Sequence, residues 1–306
     1  MPLTVESVIE MPGSPDLSFD HGAFDPKTRR VFVAHTGCNS VEVIDHGSHR
    51  HVATLQDFPE SAGVVADEGQ VLVTNRGAAS LAWIDGDTLE TRAIFNTGHR
   101  PNGVAIVSHL RLAVVACIGD ESQSAKLQAL NLNEGQRWSI DLPGRPRWCV
   151  TDAAGERIFL AVREPSMVLT ARLPKLDMVQ YWMLPSGGAH GLDIDRQNNL
   201  IYVACDGGFL VEMDALTGKV RRKWPLSGVP DATFFNPSSG LVHVAIVSPV
   251  WFRLSIPIPA QLRKSRAGRE PRQPLSLNHI ICTCFRPRIE GLLFSRMLRY
   301  DDDRRT

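Results

Sequence analysis

The chain has 306 residues, 43% of them apolar and 22% charged, with a formal net charge of zero. These are the values of an ordinary globular protein with a large core, and the balanced charge argues against a strong nucleic-acid or anionic-membrane footprint. No run approaches the ~18 apolar residues of a membrane helix, and the opening MPLTVESVIEMPGS has neither a basic start nor an apolar core, so a cytoplasmic chain without a membrane span is expected.

In chain order, TVESVIE (4–10) reads as a lone strand before any hairpin. A Val/Ile/Leu-rich run then appears as VFVAH (31–35) and returns as VLVTN (71–75), VVAC (114–117), IFLAV (158–162), IYVAC (201–205) and VHVAI (242–246). The small residues closing these runs, Ala34, Thr74, Ala116, Ala161, Ala204 and Ala245, are spaced 40, 42, 45, 43 and 41 residues apart. That period marks an internal repeat, and the non-alternating runs fit strands buried on both faces.

Each run is preceded by a second short apolar stretch across a polar turn, such as DPKTRR (25–30) or NPSSG (236–240). Turn chemistry of this kind makes the two strands a hairpin. A third strand follows: SVEVID (40–45), SLAWID (80–85), KLQALNL (126–132) and FLVEMD (209–214). A fourth, more polar one reads HVATL, TRAIF, RWSIDL, VQYWML and KVRRKW, and suits the outer edge of a sheet. The repeat therefore predicts an all-β protein, a β-propeller of four-stranded antiparallel blades. Helical solenoids need a 3.6-residue period that is absent, and a sandwich would not keep this period six times.

The closing Ile-Asp-x-x-Thr/Ser turn and a Gly-x-Pro before new blades, at 13–15, 144–146 and 228–230 with variants at 98–101 and 187–189, resemble the YVTN-repeat, YncE-like β-propellers over residues 3–246. Six units are recognisable, and seven blades are expected, with 4–10 completing the last one and closing the ring. The resemblance implies a fold more than an activity.

The period fails after residue 246. Residues 247–306 hold 11 Arg and 1 Lys against 5 acidic residues, +7 in all, which leaves −7 for residues 1–246. Five prolines between 249 and 274 would each break a ladder, and only HIICTCF (279–285) falls near the place of a seventh central strand. The chain is thus divided into propeller blades at 1–246 and an atypical basic, Pro/Arg-rich segment at 247–306. An irregular last blade and a change of reading frame near codon 247 would both account for it.

Counting back a constant distance from each small residue places Asp20, Glu60, Asn102, Arg147, His190 and Asp231 at one register position, ringing a mouth of the central channel. Loops after the central strands return to the same face and add His35, Asn75, Arg76, Cys117, Arg163, Glu164, Cys205 and Asp206. Lactonase-type propellers of the regucalcin and gluconolactonase kind hold a divalent ion at such a place. PNG (101–103) and HGLDID (190–195) are similar to their motifs, although that family has six blades. The resemblance implies Asp20, Asn102, His190 and Asp231 as ligands for Ca2+ or another divalent cation; no cofactor is otherwise indicated.

Elsewhere, DHGSHRH (45–51) reads as a solvated turn, Cys117 and Cys205 as core packing, and the basic–aromatic clusters at 145–148 and 221–224 as edge charge with inter-blade Trp. No nucleophile elbow, dinucleotide loop, phosphate loop or zinc-protease motif occurs. The first reading is a binding or scaffold module with a small molecule or a protein at the funnel face, and enzymatic activity, if there is any, is that of a metal-dependent hydrolase. The alternatives are a divalent-metal-dependent lactonase or esterase and, last, a nucleic-acid-binding propeller.

Overall fold

A computed structural model of the chain describes residues 4–9, 11, 18–248, 255–257 and 292–296. Strand β1 (Thr4–Ile9) precedes the first blade, which is built of β2 (Phe19–Asp25), β3 (Arg30–His35), β4 (Ser40–Asp45) and β5 (Arg50–Leu55). The second blade holds β6 (Ser61–Asp67), β7 (Gln70–Asn75), β8 (Ser80–Asp85) and β9 (Thr91–Asn96). The third holds β10 (Pro101–Val107), β11 (Leu112–Cys117), β12 (Lys126–Asn131) and β13 (Arg137–Asp141). In the fourth lie β14 (Pro146–Thr151), β15 (Arg157–Val162), β16 (Met167–Arg172) and β17 (Asp177–Met183). The fifth has β18 (Ala189–Asp195), β19 (Leu200–Cys205), β20 (Phe209–Asp214) and β21 (Val220–Pro225). A sixth sheet shows three strands, β22 (Val229–Asn236), β23 (Leu241–Ser248) and β24 (Ser255–Pro257), and β25 (Leu292–Arg296) pairs with β1.

The six sheets from β2 to β24 are antiparallel meanders, and the inner strands β2, β6, β10, β14, β18 and β22 follow one another side by side. This is a β-propeller. Its second strands carry the periodic runs and are buried along their length: all six residues of β7, β11 and β19 are buried. Successive blades interleave apolar side chains, as Phe32 and Ala34 do with Val64, Val71 and Val73 between the first two. That burial is the main driving force of the stack.

The Asp that ends the third strands fastens the turn to the fourth. Asp45 Oδ1 accepts from the Ser48 amide at 2.7 Å and the Ser48 hydroxyl at 2.6 Å, and Asp85 and Asp214 likewise accept the amides of Thr88 and Thr217. The fourth blade's third strand, β16, lacks this signature. It ends in Arg172, which donates to Asp177 at 2.9 Å on the returning strand, so a cross-strand ion pair stands where the first, second and fifth blades have a carboxylate turn and the third has the Asn131 amide oxygen.

Strand β1 pairs antiparallel with β25, from Thr4 opposite Arg296 to Ile9 opposite Leu292. The two ends of the chain therefore meet in one sheet. Ile9 is buried with Phe19, Val31, Val33 and Ile44, the face of the first blade that points away from the second. The central run β23 continues to Ser248, and β24 and β25 both belong to the basic segment. The HIICTCF stretch lies outside the described residues. No helix among the described residues is long and apolar enough to cross a membrane.

Candidate functional site

In every blade the inner strand enters with one residue paired to the end of the second strand and then bulges. The entering pairs are Phe19–His35, Ser61–Asn75, Pro101–Cys117, Pro146–Val162, Ala189–Cys205 and Pro230–Ile246. The residues next in chain order are Asp20, Ala62, Asn102, Arg147, His190 and Asp231. A bulge leaves a residue unpaired and re-aims its side chain, and here it turns one side chain per blade toward the channel.

Five of the six residues expected in the ring are therefore at one register position, and Glu60 is not. The first hairpin of the second blade turns in two residues, Asp67 pairing with Gln70, where the first blade needs four between Asp25 and Arg30. Counting at a constant distance overshoots by two, so the ring position is Ala62 and Glu60 lies exposed in the preceding loop.

Asp20, Asn102, Arg147, His190 and Asp231 line one cavity of about 270 Å³, together with Phe19, His21, Arg76 and Trp148. His21 and Trp148 follow Asp20 and Arg147 directly, and their rings stack across the channel with centroids 4.1 Å apart and planes 4° from parallel. At the same place the other blades carry Gly63, Gly103, Gly191 and Ala232. Trp148 also lines a second cavity of about 410 Å³ with Val107, His109, Thr151 and Arg196. Those residues belong to the opposite end of the inner hairpins, so the stacked rings sit between two cavities of one channel.

The polar network of the mouth is dense. Arg76 donates to Asp20 Oδ2 at 2.6 Å and to Asn102 Oδ1, and Asp20 Oδ1 lies 2.5 Å from His21 Nδ1. Burial alone would push the Asp20 carboxyl up, but His21 and Arg76 together hold it down at about 2. Burial pulls the other way on His21, and Asp20 outweighs it, so its imidazole is raised above its ordinary value. His190 Nδ1 faces Asp206 Oδ1 at 2.8 Å, Arg163 pairs with the second Asp206 oxygen at 2.7 Å, and His190 Nε2 faces Asp231 at 3.4 Å.

His35 and Asn75 do not reach the cavity. They are the residues paired to the entering positions, and both point into their blades, 1% and 2% exposed. His35 Nδ1 meets the buried Glu42 at 2.9 Å. Glu42 also faces His51 Nε2 at 2.9 Å and accepts from Ser40 and Thr54. Burial of Glu42 is overcome by these four partners, which hold its carboxyl near 2. His51 thus leaves the His-rich turn for the blade interior, and His46 and His49 remain in it. Cys117 and Cys205 are fully buried, and burial pushes both thiols up to about 12.

The donor set suits a cation poorly. Asp20 and Asn102 already receive Arg76, and His190 Nδ1 already faces Asp206. A divalent ion on Asp20, Asn102, His190 and Asp231 would have to displace a guanidinium from two of its four ligands. Among the described residues no group of three or more His, Cys, Asp and Glu side chains is arranged to hold a metal ion. None of the nine cavity residues is a Ser, Thr or Cys that could act as nucleophile.

No family model matches the sequence, and no curated protein matches it. Solved structures do resemble the fold. Hydrazine synthase of Kuenenia stuttgartiensis superposes with a TM-score of 0.66 at 14% identity, over 74% of this chain and 79% of that one. A functionally unknown protein from Desulfotomaculum acetoxidans DSM 771 gives 0.64 at 11% identity, over 71% and 73%. At such identities the likeness is one of propeller architecture.

Proposed function

We propose that this chain is a binding module of the YVTN-repeat, YncE-like type that takes a small molecule at the channel mouth. One observation carries the reading: five blades each give one bulge residue to a single cavity, and Trp148 and His21 supply its aromatic floor. A concave site with few convergent polar groups and an aromatic wall is the common form of a small-molecule site. The cavity favours binding over catalysis because Arg76, Asp20, His21 and His190 are already engaged in hydrogen bonds and no Ser, Thr or Cys lines it.

The lactonase reading with Asp20, Asn102, His190 and Asp231 around Ca2+ ranks second, since Arg76 occupies two of those donors. A nucleic-acid function ranks third, because an enclosed pocket is a poor track for an extended strand. A metabolite panel screened by calorimetry and tryptophan fluorescence tests the proposal. At least one compound is expected to bind wild type and to lose about tenfold or more in Trp148→Leu. If no compound binds, or if binding ignores Trp148 and appears only with calcium, the proposal fails.

A further inference from the structure

Arg147 differs from every other charged group lining the mouth. Its Nε is buried and has no acceptor among the described residues. Its Nη2 comes no closer than 3.5 Å to a polar partner, His190 Nδ1, which already faces Asp206. No carboxylate among the described residues lies within ion-pair distance of it, whereas Arg76 has Asp20 and Arg163 has Asp206. A half-buried arginine fork without a counter-ion presents parallel N–H donors matched to two oxygens of one carboxylate or phosphate.

The surroundings deepen this. Burial, followed by repulsion from Arg145 and Arg163, lowers the Arg147 guanidinium to about 10, even though Asp231 and Asp206 pull the other way. Arg145 is itself lowered by burial and by Arg163, Arg100 and Arg76. Two arginines, Arg145 and Arg163, thus stand beside the Arg147 fork along with the carboxylates of Asp231 and Asp206. The acids that could quench it are engaged elsewhere: Asp20 by Arg76 and His21, Asp206 by His190 and Arg163.

We propose that the ligand of this cavity is a small organic oxyanion, a carboxylate or phosphate ester, whose charged oxygens are received by the Arg147 fork and whose body lies beside Trp148. The inference rests on the reading of the mouth as a small-molecule site and adds the ligand's chemical class. The missing counter-ion is what the ligand supplies, and Asp231, beside His190 at the rim, sets a limit on how much further negative charge it can carry.

The test is isothermal calorimetry on the full chain with four ring compounds that differ in charge: benzoate, phenyl phosphate, neutral benzamide and cationic benzamidine. Either anion is expected to bind at least about tenfold more tightly than benzamide, with benzamidine weakest. Arg147→Met is expected to abolish the anion preference, and Arg147→Lys to keep part of it as a point charge without the fork. Removing a half-buried guanidinium that makes no ion pair should leave the melting temperature of ligand-free Arg147→Met unchanged or higher, so lost binding is not lost folding. Equal binding of benzamide and benzoate, unaffected by Arg147→Met, overturns the oxyanion assignment and leaves the binding module standing. Absence of anion binding together with a panel hit dependent on Trp148 does the same, and absence of both removes the site itself.

Discussion

Glu42 and Glu212 show how far the worth of a buried carboxyl depends on its neighbours. Glu42 is 3% exposed and has four hydrogen-bonding partners. Glu212, fully buried on β20, has no donor for either oxygen among the described residues, and its nearest cation, Arg222 Nε, is 4.0 Å away. Burial raises the Glu212 carboxyl and, with that charge beside it, the Tyr202 phenol as well. A folded-state pKa above the unfolded value means that the fold prefers the proton. The associated stability is complete below the unfolded pKa and is lost as pH rises through the folded one. Glu212→Met, similar in volume and without the charge, should therefore stabilise the chain by about 1–3 kcal/mol at neutral pH. Urea denaturation at about pH 5 and about pH 8 checks this, with the larger gain expected at the higher pH.

At the scale of elements, the decisive device is the bulge on each inner strand, and the glycines beside it set how closely the strands approach. A Cβ added at Gly103 would stand 2.2 Å from the Arg147 carbonyl oxygen, and one at Gly63 would stand 2.0 Å from that of Asn102. Thr74 ties the same two blades by donating to the Asn102 carbonyl at 3.0 Å and accepting from the Gly63 amide at 2.8 Å. Gly103→Ala must push β10 and β14 apart just where Arg147 and Trp148 are held. A loss of about 1–3 kcal/mol is expected in chemical denaturation. A change in tryptophan fluorescence should accompany it, since the stack with His21 is displaced. An unaltered spectrum with unaltered stability would mean that the strands have room to yield.

For the whole molecule, the pairing of β1 with β25 joins segments near the two ends of the chain, and β1 packs on the first blade. Ile9 anchors that pair in the core, 6% exposed against Phe19, Val31, Val33 and Ile44. Truncating it should open a void at the seam, and Ile9→Ala is expected to cost about 2–5 kcal/mol. Melting by circular dichroism would show the loss; an unchanged melting temperature would mean that the first blade is stable without β1. The division of the chain at residue 246 stays a proposal. The loss of period and the change of charge remain its grounds, and most of the basic segment lies outside the described residues.

The fold was legible because propeller blades repeat locally. Each hairpin, each Asp-capped turn and each doubly buried strand is written in consecutive residues, and a 42-residue period multiplies a weak signal by six. Within the periodic region β16 escaped, because Arg172 and Asp177 do across the sheet what a single Asp does elsewhere within one turn, and β24 and β25 escaped because they lie beyond the last periodic run. The mouth was legible as a position but not as a site. A two-residue turn moved the ring from Glu60 to Ala62, and inward rotation hid His35 and Asn75, since counting along a chain registers neither turn length nor side-chain direction. The aromatic floor was present as His21 and Trp148 where other blades have Gly or Ala, yet only the stacking of successive inner strands around the channel brings the first and fourth blades face to face. The sequence by itself determined the blades, because their contacts are local in the chain. Tertiary structure alone decided which charges meet at the mouth and which one, Arg147, is left without a counter-ion, because those contacts join residues from blades far apart in sequence.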